Sequence, residues 1–232
     1  MFETIAFDAD DTLWENEILY KKAEEKLTQL LAEHHPAEFV VQELFKTETR
    51  NITAYGYGIK SFTLSMIETA IALTKGRVTS KEICGIIGFG REMIDADVEL
   101  IPNVRETIEK LSTSHSLMII TKGDLLDQQR KVERSKLGKY FQHIEVVSEK
   151  TRNTYKALLE KYEIMPERFL MIGNSLKSDI LPVVAIGGEA VYIPNNTSWA
   201  HENVSGEEAQ KNSYHELEKI GQLTAFIENY SN

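Results

Sequence analysis

Five short apolar runs, each cut off abruptly by a polar residue, a glycine or a proline, constrain this chain more than any other feature. They are Thr4 to Phe7 before Asp8, Leu117 to Ile120 before Thr121, Ile144 to Val147 before Ser148, Phe169 to Ile172 before Gly173, and Ala190 to Ile193 before Pro194. Runs this short with little polar alternation suit strands buried on both faces, as in a parallel sheet covered by helices. Glu145 interrupts the third run and weakens it. Between the runs, Val104, Ile108 and Leu111 form one helical stripe, and Leu158, Leu159 and Tyr162 another. Strand and helix alternate, which predicts an α/β fold with a doubly wound, Rossmann-like parallel sheet.

Residues 15–98 break the alternation. No strand-like run stands out there, whereas Leu19, Ala23, Leu27, Leu30 and Leu31 make an amphipathic stripe and a second apolar stretch runs from Phe62 to Leu73. This predicts a helical domain over 15–98 inserted after the first strand, with residues 1–14 and 99–232 forming the α/β domain. The insertion closes near Ile101-Pro102-Asn103, where proline suits the first turn of the next helix. Gly56-Tyr57-Gly58 and Gly88-Phe89-Gly90 read as turns or hinges between the inserted helices, and Asn195 to Asn212 as a polar loop. No repeat or low-complexity tract is present.

The 232 residues carry a formal charge of −10, which argues against electrostatic binding of a nucleic acid polymer. No apolar stretch approaches the roughly 20 residues of a membrane-spanning helix, and Phe2-Glu3-Thr4 does not open a secretory leader, so a cytoplasmic protein is expected. The single cysteine, Cys84, rules out an intrachain disulfide and any multi-thiolate zinc site. With Ile83, Ile86 and Ile87 nearby, it reads as a small buried hydrophobe. The six histidines offer no HExxH and no close Cys/His cluster.

In a doubly wound sheet the carboxyl ends of the strands share an edge where ligands bind. The polar residues there should converge: Asp8, Asp10, Asp11 and Thr12, then Thr121 and Lys122, Lys150, and Asn174, Ser175 and Asp179. Asp11 and Thr12 are equally suited to capping the next helix. Crowded carboxylates repel unless a cation neutralises them, and oxygen ligands imply a hard ion, Mg²⁺. A metal, a lysine and a hydroxyl suit a tetrahedral anion such as phosphate, and an aspartate beside phosphorus can attack it.

Asp8-Ala9-Asp10-Asp11-Thr12 resembles the DxDxT signature of the haloacid dehalogenase (HAD) superfamily. Thr121 ends a hydrophobic strand as the second motif of that family does, Lys150 follows a strand where its third-motif lysine stands, and Gly173-Asn174-Ser175-Leu176-Lys177-Ser178-Asp179 resembles its acidic fourth motif. The resemblance spans nearly the whole chain and implies the C1-capped phosphatase type. It implies that Asp8 forms an aspartyl-phosphate and that Asp10 is the general acid and base. It further implies that Thr121, Lys122 and Lys150 bind the phosphoryl group, with Mg²⁺ held by Asp8, the Asp10 carbonyl, Asn174 and Asp179. Asn174 departs from the common pattern, where many members carry Asp, so either Asn174 or Asp179 is the direct ligand. Lys156 is a rival to Lys150 for the third motif.

The expected activity is Mg²⁺-dependent hydrolysis of a small phosphomonoester, a nucleotide or a sugar phosphate, with no membrane partner. Trp14 and Asn16, beside the first motif, are the candidates for touching substrate, while Tyr20, Tyr55, Tyr57 and Phe62 are read mainly as packing. The alternatives are a 2-haloacid dehalogenase, which in this family needs neither metal nor a second aspartate, a phosphomutase, and a non-catalytic phosphate-binding module. A calcium loop starting at Asp8 does not fit, because its sixth and twelfth positions are Leu13 and Leu19. A nucleophile elbow at Ser175 fails because Lys177 replaces its second glycine.

Overall fold

The computed structural model describes residues 2–195 and 213–230, so most of the polar segment from Asn195 to Asn212 lies outside the described residues. Six strands, β1 (Thr4–Phe7), β2 (Ser116–Lys122), β3 (His143–Val147), β4 (Phe169–Gly173), β5 (Glu189–Tyr192) and β6 (His215–Glu216), form one sheet in the order β3-β2-β1-β4-β5-β6. Every pairing is parallel, with Phe7 level with Ile119 on one side and Ile172 on the other. The sheet is therefore the doubly wound, Rossmann-like sheet that the apolar runs predict. The two-residue edge strand β6 is an addition that its short polar sequence does not announce.

Alternate residues of the central strands enter opposite cores, as the two-residue period of a strand requires. Ile5, Phe7, Leu117, Ile119, Leu170 and Ile172 pack on one face with Val104, Ile108 and Leu111 of α5 (Val104–Leu111) and with Leu223 and Ile227 of a C-terminal helix, Leu223–Tyr230. Ala6, Met118, Ile120 and Met171 pack on the other face with Tyr155, Leu158 and Leu159 of α7 (Arg152–Lys161). Glu145 is tolerated because β3 lies at the edge of the sheet, where Lys161 (2.6 Å) and Tyr162 both donate to its carboxylate.

Contacts divide the chain into two units. One comprises Met1–Glu17, Val98–Lys122 and Gln128–Asn232, the other Ile18–Asp97 with Gly123–Asp127. The second unit is helical among its described residues, built from α1 (Glu17–Leu30), α2 (Ala37–Tyr55), α3 (Ile59–Leu73) and α4 (Ser80–Asp95). Its core joins Ala23, Leu27, Val40, Leu44, Phe62, Met66 and Ile86. Among the described residues no helix is long and apolar enough to cross a membrane.

Three local readings are corrected. Cys84 is exposed rather than buried. The inward stripe of α4 runs through Ile86, Gly90 and Met93, and at about 100° per residue Cys84 lies roughly 200° around the helix from Ile86. Gly88-Phe89-Gly90 is no hinge but part of α4, and Gly90 is there for a close helix contact: a Cβ would lie 2.3 Å from Thr63 Oγ1 of α3. Pro102 sits in the turn before α5, not in its first helical turn, and Asn103 closes that turn in a left-handed conformation at φ 69°.

A polar seam joins α2 to α3: Asn51 donates to Ser65 Oγ, which donates to the Ser61 carbonyl. Glu48, buried on the same helix, has its carboxyl pushed up to about 7 by burial, with the charge of Glu24 adding to the effect. The folded state therefore keeps this proton to higher pH than the unfolded chain, whose reference value is 4.5. Stability should fall as pH rises between those two values and level off above them. Replacing Glu48 by Gln is expected to remove that decline and to stabilise the protein by about 1–3 kcal/mol at pH 8. Melting temperatures of both proteins across that range check it, and parallel pH profiles would assign the titration elsewhere.

Candidate active site

The strand order reverses between β1 and β4, so the crevice at their carboxyl ends is where the fold favours a ligand. Asp8 is the first residue after β1, and its N–H donates to the Ile172 carbonyl of β4 at 2.8 Å. The Ala9 carbonyl then accepts from the N–H groups of Leu13 (2.8 Å) and Thr12 (3.3 Å), curling the loop back on itself. Asp11 takes the left-handed conformation at φ 60°. Its carboxylate accepts from the N–H groups of Asn16 and Glu17, closing the start of α1, so its role is a cap. Burial pushes its carboxyl up to about 6, against the downward pull of those N–H groups.

Three chain segments meet at Asp8. Lys150 donates to Asp8 Oδ1 and, at 2.6 Å, to Asp179 Oδ1, while Thr12 Oγ1 lies 3.1 Å from Asp8 Oδ2 and 3.2 Å from Asn174 Oδ1. Lys150 is 4% exposed and Asp179 1%. Burial pulls the Lys150 pKa down, but the charges and hydrogen bonds of Asp179 and Asp8 more than offset it, and the net direction is upward. The ammonium is thus a fixed cation between two carboxylates. Lys156, its rival, is exposed on α7.

The fourth-motif segment is shaped to place Asp179. Ser175 Oγ accepts the Ser178 N–H, and Asp179 Oδ2 accepts the Ser175 N–H at 3.0 Å. Ile180 N–H reaches back to the Ser175 carbonyl, making one wide π-helical turn over Leu176–Ile180, a geometry frequent at functional sites. Gly173 makes room for this, since a Cβ there would lie 2.2 Å from Asp179 Oδ2. Both oxygens of Asp179 are therefore occupied from within the protein.

Thr121, 1% exposed, is the penultimate residue of β2, at the same sheet edge. Its neighbour Lys122 turns its Nζ to Ser178 Oγ at 2.9 Å, tying the second-motif segment to the fourth. Among the described residues no three His, Cys, Asp or Glu side chains converge as a metal cage. Two side-chain oxygens do converge, Asp8 Oδ2 and Asn174 Oδ1, each within hydrogen-bond reach of the Thr12 hydroxyl. An all-oxygen set with few protein ligands fits Mg²⁺, which keeps several waters and takes the rest of its shell from substrate phosphate.

Asp10 belongs to a second cluster. Its carboxylate accepts from Trp14 Nε1 (2.7 Å), Gln128 Nε2 (2.8 Å) and Lys131 Nζ (3.1 Å to each oxygen). Asn16 Oδ1 accepts from the same lysine at 2.8 Å. Trp14 and Asn16, expected to touch substrate, are 1% and 8% exposed and turn their polar ends to Asp10 and Lys131. Gln128 and Lys131 lie on one face of α6 (Leu125–Ser135) and escape sequence reading, because a helix so rich in charge reads as solvated. The only available signal was their spacing of three residues on a helix following the second motif.

Known proteins resemble this chain in sequence and in fold. A haloacid dehalogenase-like family hydrolase from Xanthomonas campestris is 38% identical and superposes with a TM-score of 0.87 over 98% of this chain and 91% of its own. A HAD-hydrolase from Bacillus subtilis bound to magnesium, 18% identical, shares the fold with a TM-score of 0.68 over 97% of this chain and 98% of its own. The glyceraldehyde 3-phosphate phosphatase of Pyrococcus furiosus is 25% identical over 203 residues, 82% of this chain and 80% of that protein. Residues 2–187 match the family described as haloacid dehalogenase-like hydrolase, and the chain is a member of that hydrolase family.

Proposed function

We propose that this hydrolase is a Mg²⁺-dependent phosphatase of small phosphomonoesters, with Asp8 as nucleophile and Asp10 as general acid and base. The observation that carries the reading is the division of labour between the two aspartates. Asp8 is fixed by Lys150 and Thr12 beside the Asn174 amide oxygen, and Asp10 is held separately by its own donors. A dehalogenase has no use for that second, elaborately held carboxylate.

In the first step a carboxylate oxygen of Asp8 forms a bond to phosphorus as the bond to the leaving oxygen breaks, and Asp10 gives that oxygen its proton. In the second, water bonds to phosphorus as the bond from phosphorus to the Asp8 oxygen breaks, Asp10 takes the proton of that water, and inorganic phosphate and the Asp8 carboxylate are released. Lys150 holds Asp8 in place and offsets phosphoryl charge throughout, and Thr121 and Lys122 contribute a hydroxyl and a second cation at the same sheet edge. Asp8, the Asp10 carbonyl and Asn174 would hold Mg²⁺, which when bound supplies positive charge facing the phosphoryl oxygens. We assign Asp179 to holding Lys150, which donates to its Oδ1, while the Ser175 N–H holds its Oδ2.

The activity of the Pyrococcus furiosus relative puts triose phosphates beside nucleoside monophosphates at the head of a substrate panel. Phosphate release from that panel is expected with Mg²⁺ and is expected to fall at least about a hundredfold in EDTA, as removal of a charge-stabilising group does. Chloride release from 2-chloropropionate that persists in EDTA, with no phosphate released from any ester, would sink the reading in favour of a dehalogenase.

A further inference from the structure

We infer that Lys131 and Gln128 of α6 are positioning residues for Asp10, fixing the place and plane of the carboxyl group that serves as general acid and base. The inference rests on the general-acid role proposed above and extends it to residues on a different segment of the chain.

The donors reach Asp10 from two directions. Trp14 comes from the loop after β1, and Gln128 and Lys131 come from α6, the helix after β2. Lys131 bridges both carboxylate oxygens, so the plane of the carboxylate is set as well as its place. Asn16 in turn orients the lysine, and Lys131 is only 7% exposed, so solvent does little to loosen the pair. Gln128 is the more telling residue. Its amide nitrogen serves Asp10 Oδ2 and the Lys122 carbonyl, two acceptors that fix which end of the amide faces them. Its own oxygen is left buried without a hydrogen-bond partner, an arrangement that stability alone disfavours. The protein thus places a donor on Asp10 at the expense of local satisfaction, as an over-determined functional group requires. Through the Lys122 carbonyl the same amide also ties Asp10 to the second-motif segment, so the acid is registered against a residue at the phosphate-binding edge.

A general acid matters most when the leaving alcohol is poor, and little when it leaves as a stable anion. We therefore compare kcat/KM, which reports phosphoryl transfer to Asp8, for 4-nitrophenyl phosphate and for the alkyl phosphate that the wild type turns over fastest. Asp10→Asn should raise the aryl-to-alkyl ratio strongly. Lys131→Met should raise it about tenfold or more, Gln128→Met should raise it to a smaller extent, and Lys131→Arg should restore it in part. Because the ratio is taken on one preparation, the fraction of folded protein cancels, and should Lys131→Met not fold, Gln128→Met carries the test.

Equal loss on both substrates in Lys131→Met and Gln128→Met, with a raised ratio in Asp10→Asn, would overturn the positioning role and leave the phosphatase reading intact. An unchanged ratio in Asp10→Asn would remove the general-acid assignment, and this inference with it. A wild type that releases no phosphate from any ester would remove the phosphatase reading itself.

Discussion

Asp8→Asn should abolish phosphate release, by about a thousandfold or more, because an amide oxygen is a poor nucleophile and the expected covalent intermediate cannot form. The fold should survive, since the side chain keeps its shape and Lys150 keeps Asp179 as a partner. Acid quenching during turnover of ³²P-labelled substrate should leave label on the wild-type chain and none on the variant. Full activity in Asp8→Asn would mean that the site attacks phosphorus by another route.

Lys150→Met is expected to damage stability and turnover together. Its ammonium bridges two buried carboxylates, Asp8 and Asp179. Breaking a buried ion pair from one side costs about 3–5 kcal/mol, which for a chain of this size lowers the melting temperature by roughly 10 °C. Turnover should fall by about a hundredfold to a thousandfold, as when a preorganised charge facing the reacting group is removed. The double variant Lys150→Met, Asp179→Asn separates the two effects. Removing the second charge should recover much of the stability and none of the activity, because Asp8 is the proposed nucleophile and Asp179 is assigned only to holding Lys150. Recovery of both would show that Lys150 acts on the fold alone.

The sequence made the sheet legible because its strands are buried on both faces and so read as bare apolar runs. The ends of those runs named Asp8, Thr121, Lys150 and the Asn174–Asp179 segment, since a doubly wound topology brings strand ends to one edge. Side-chain direction was not legible. Trp14 and Asn16 looked like substrate contacts from their place beside the first motif, yet they are turned inward onto Asp10 and Lys131. Gln128 and Lys131 sit among the polar residues of α6, where a one-dimensional pattern cannot tell an inward charge from a solvated one. Cys84 misled for the same reason: apolar neighbours in sequence lie on different sides of a helix. Gly90 looked like a break because glycine favours turns, whereas the closeness of α3 to α4 is what calls for it.

Gly173 carries a consequence for how this protein can change. The volume that a side chain at this position would fill is already occupied by the Asp179 carboxylate. Positions 173 and 179 are therefore not free to vary one at a time. A larger residue at 173 is compatible with the backbone only if 179 shrinks, and a shrunken 179 surrenders one of the two carboxylates that hold Lys150. The route between a glycine and an alanine here passes through the loss of one of the two carboxylates that fix the lysine, so mutational libraries that sample these positions separately should yield weakened sites, and a fully active escape will have to rebuild the lysine's support from a third residue.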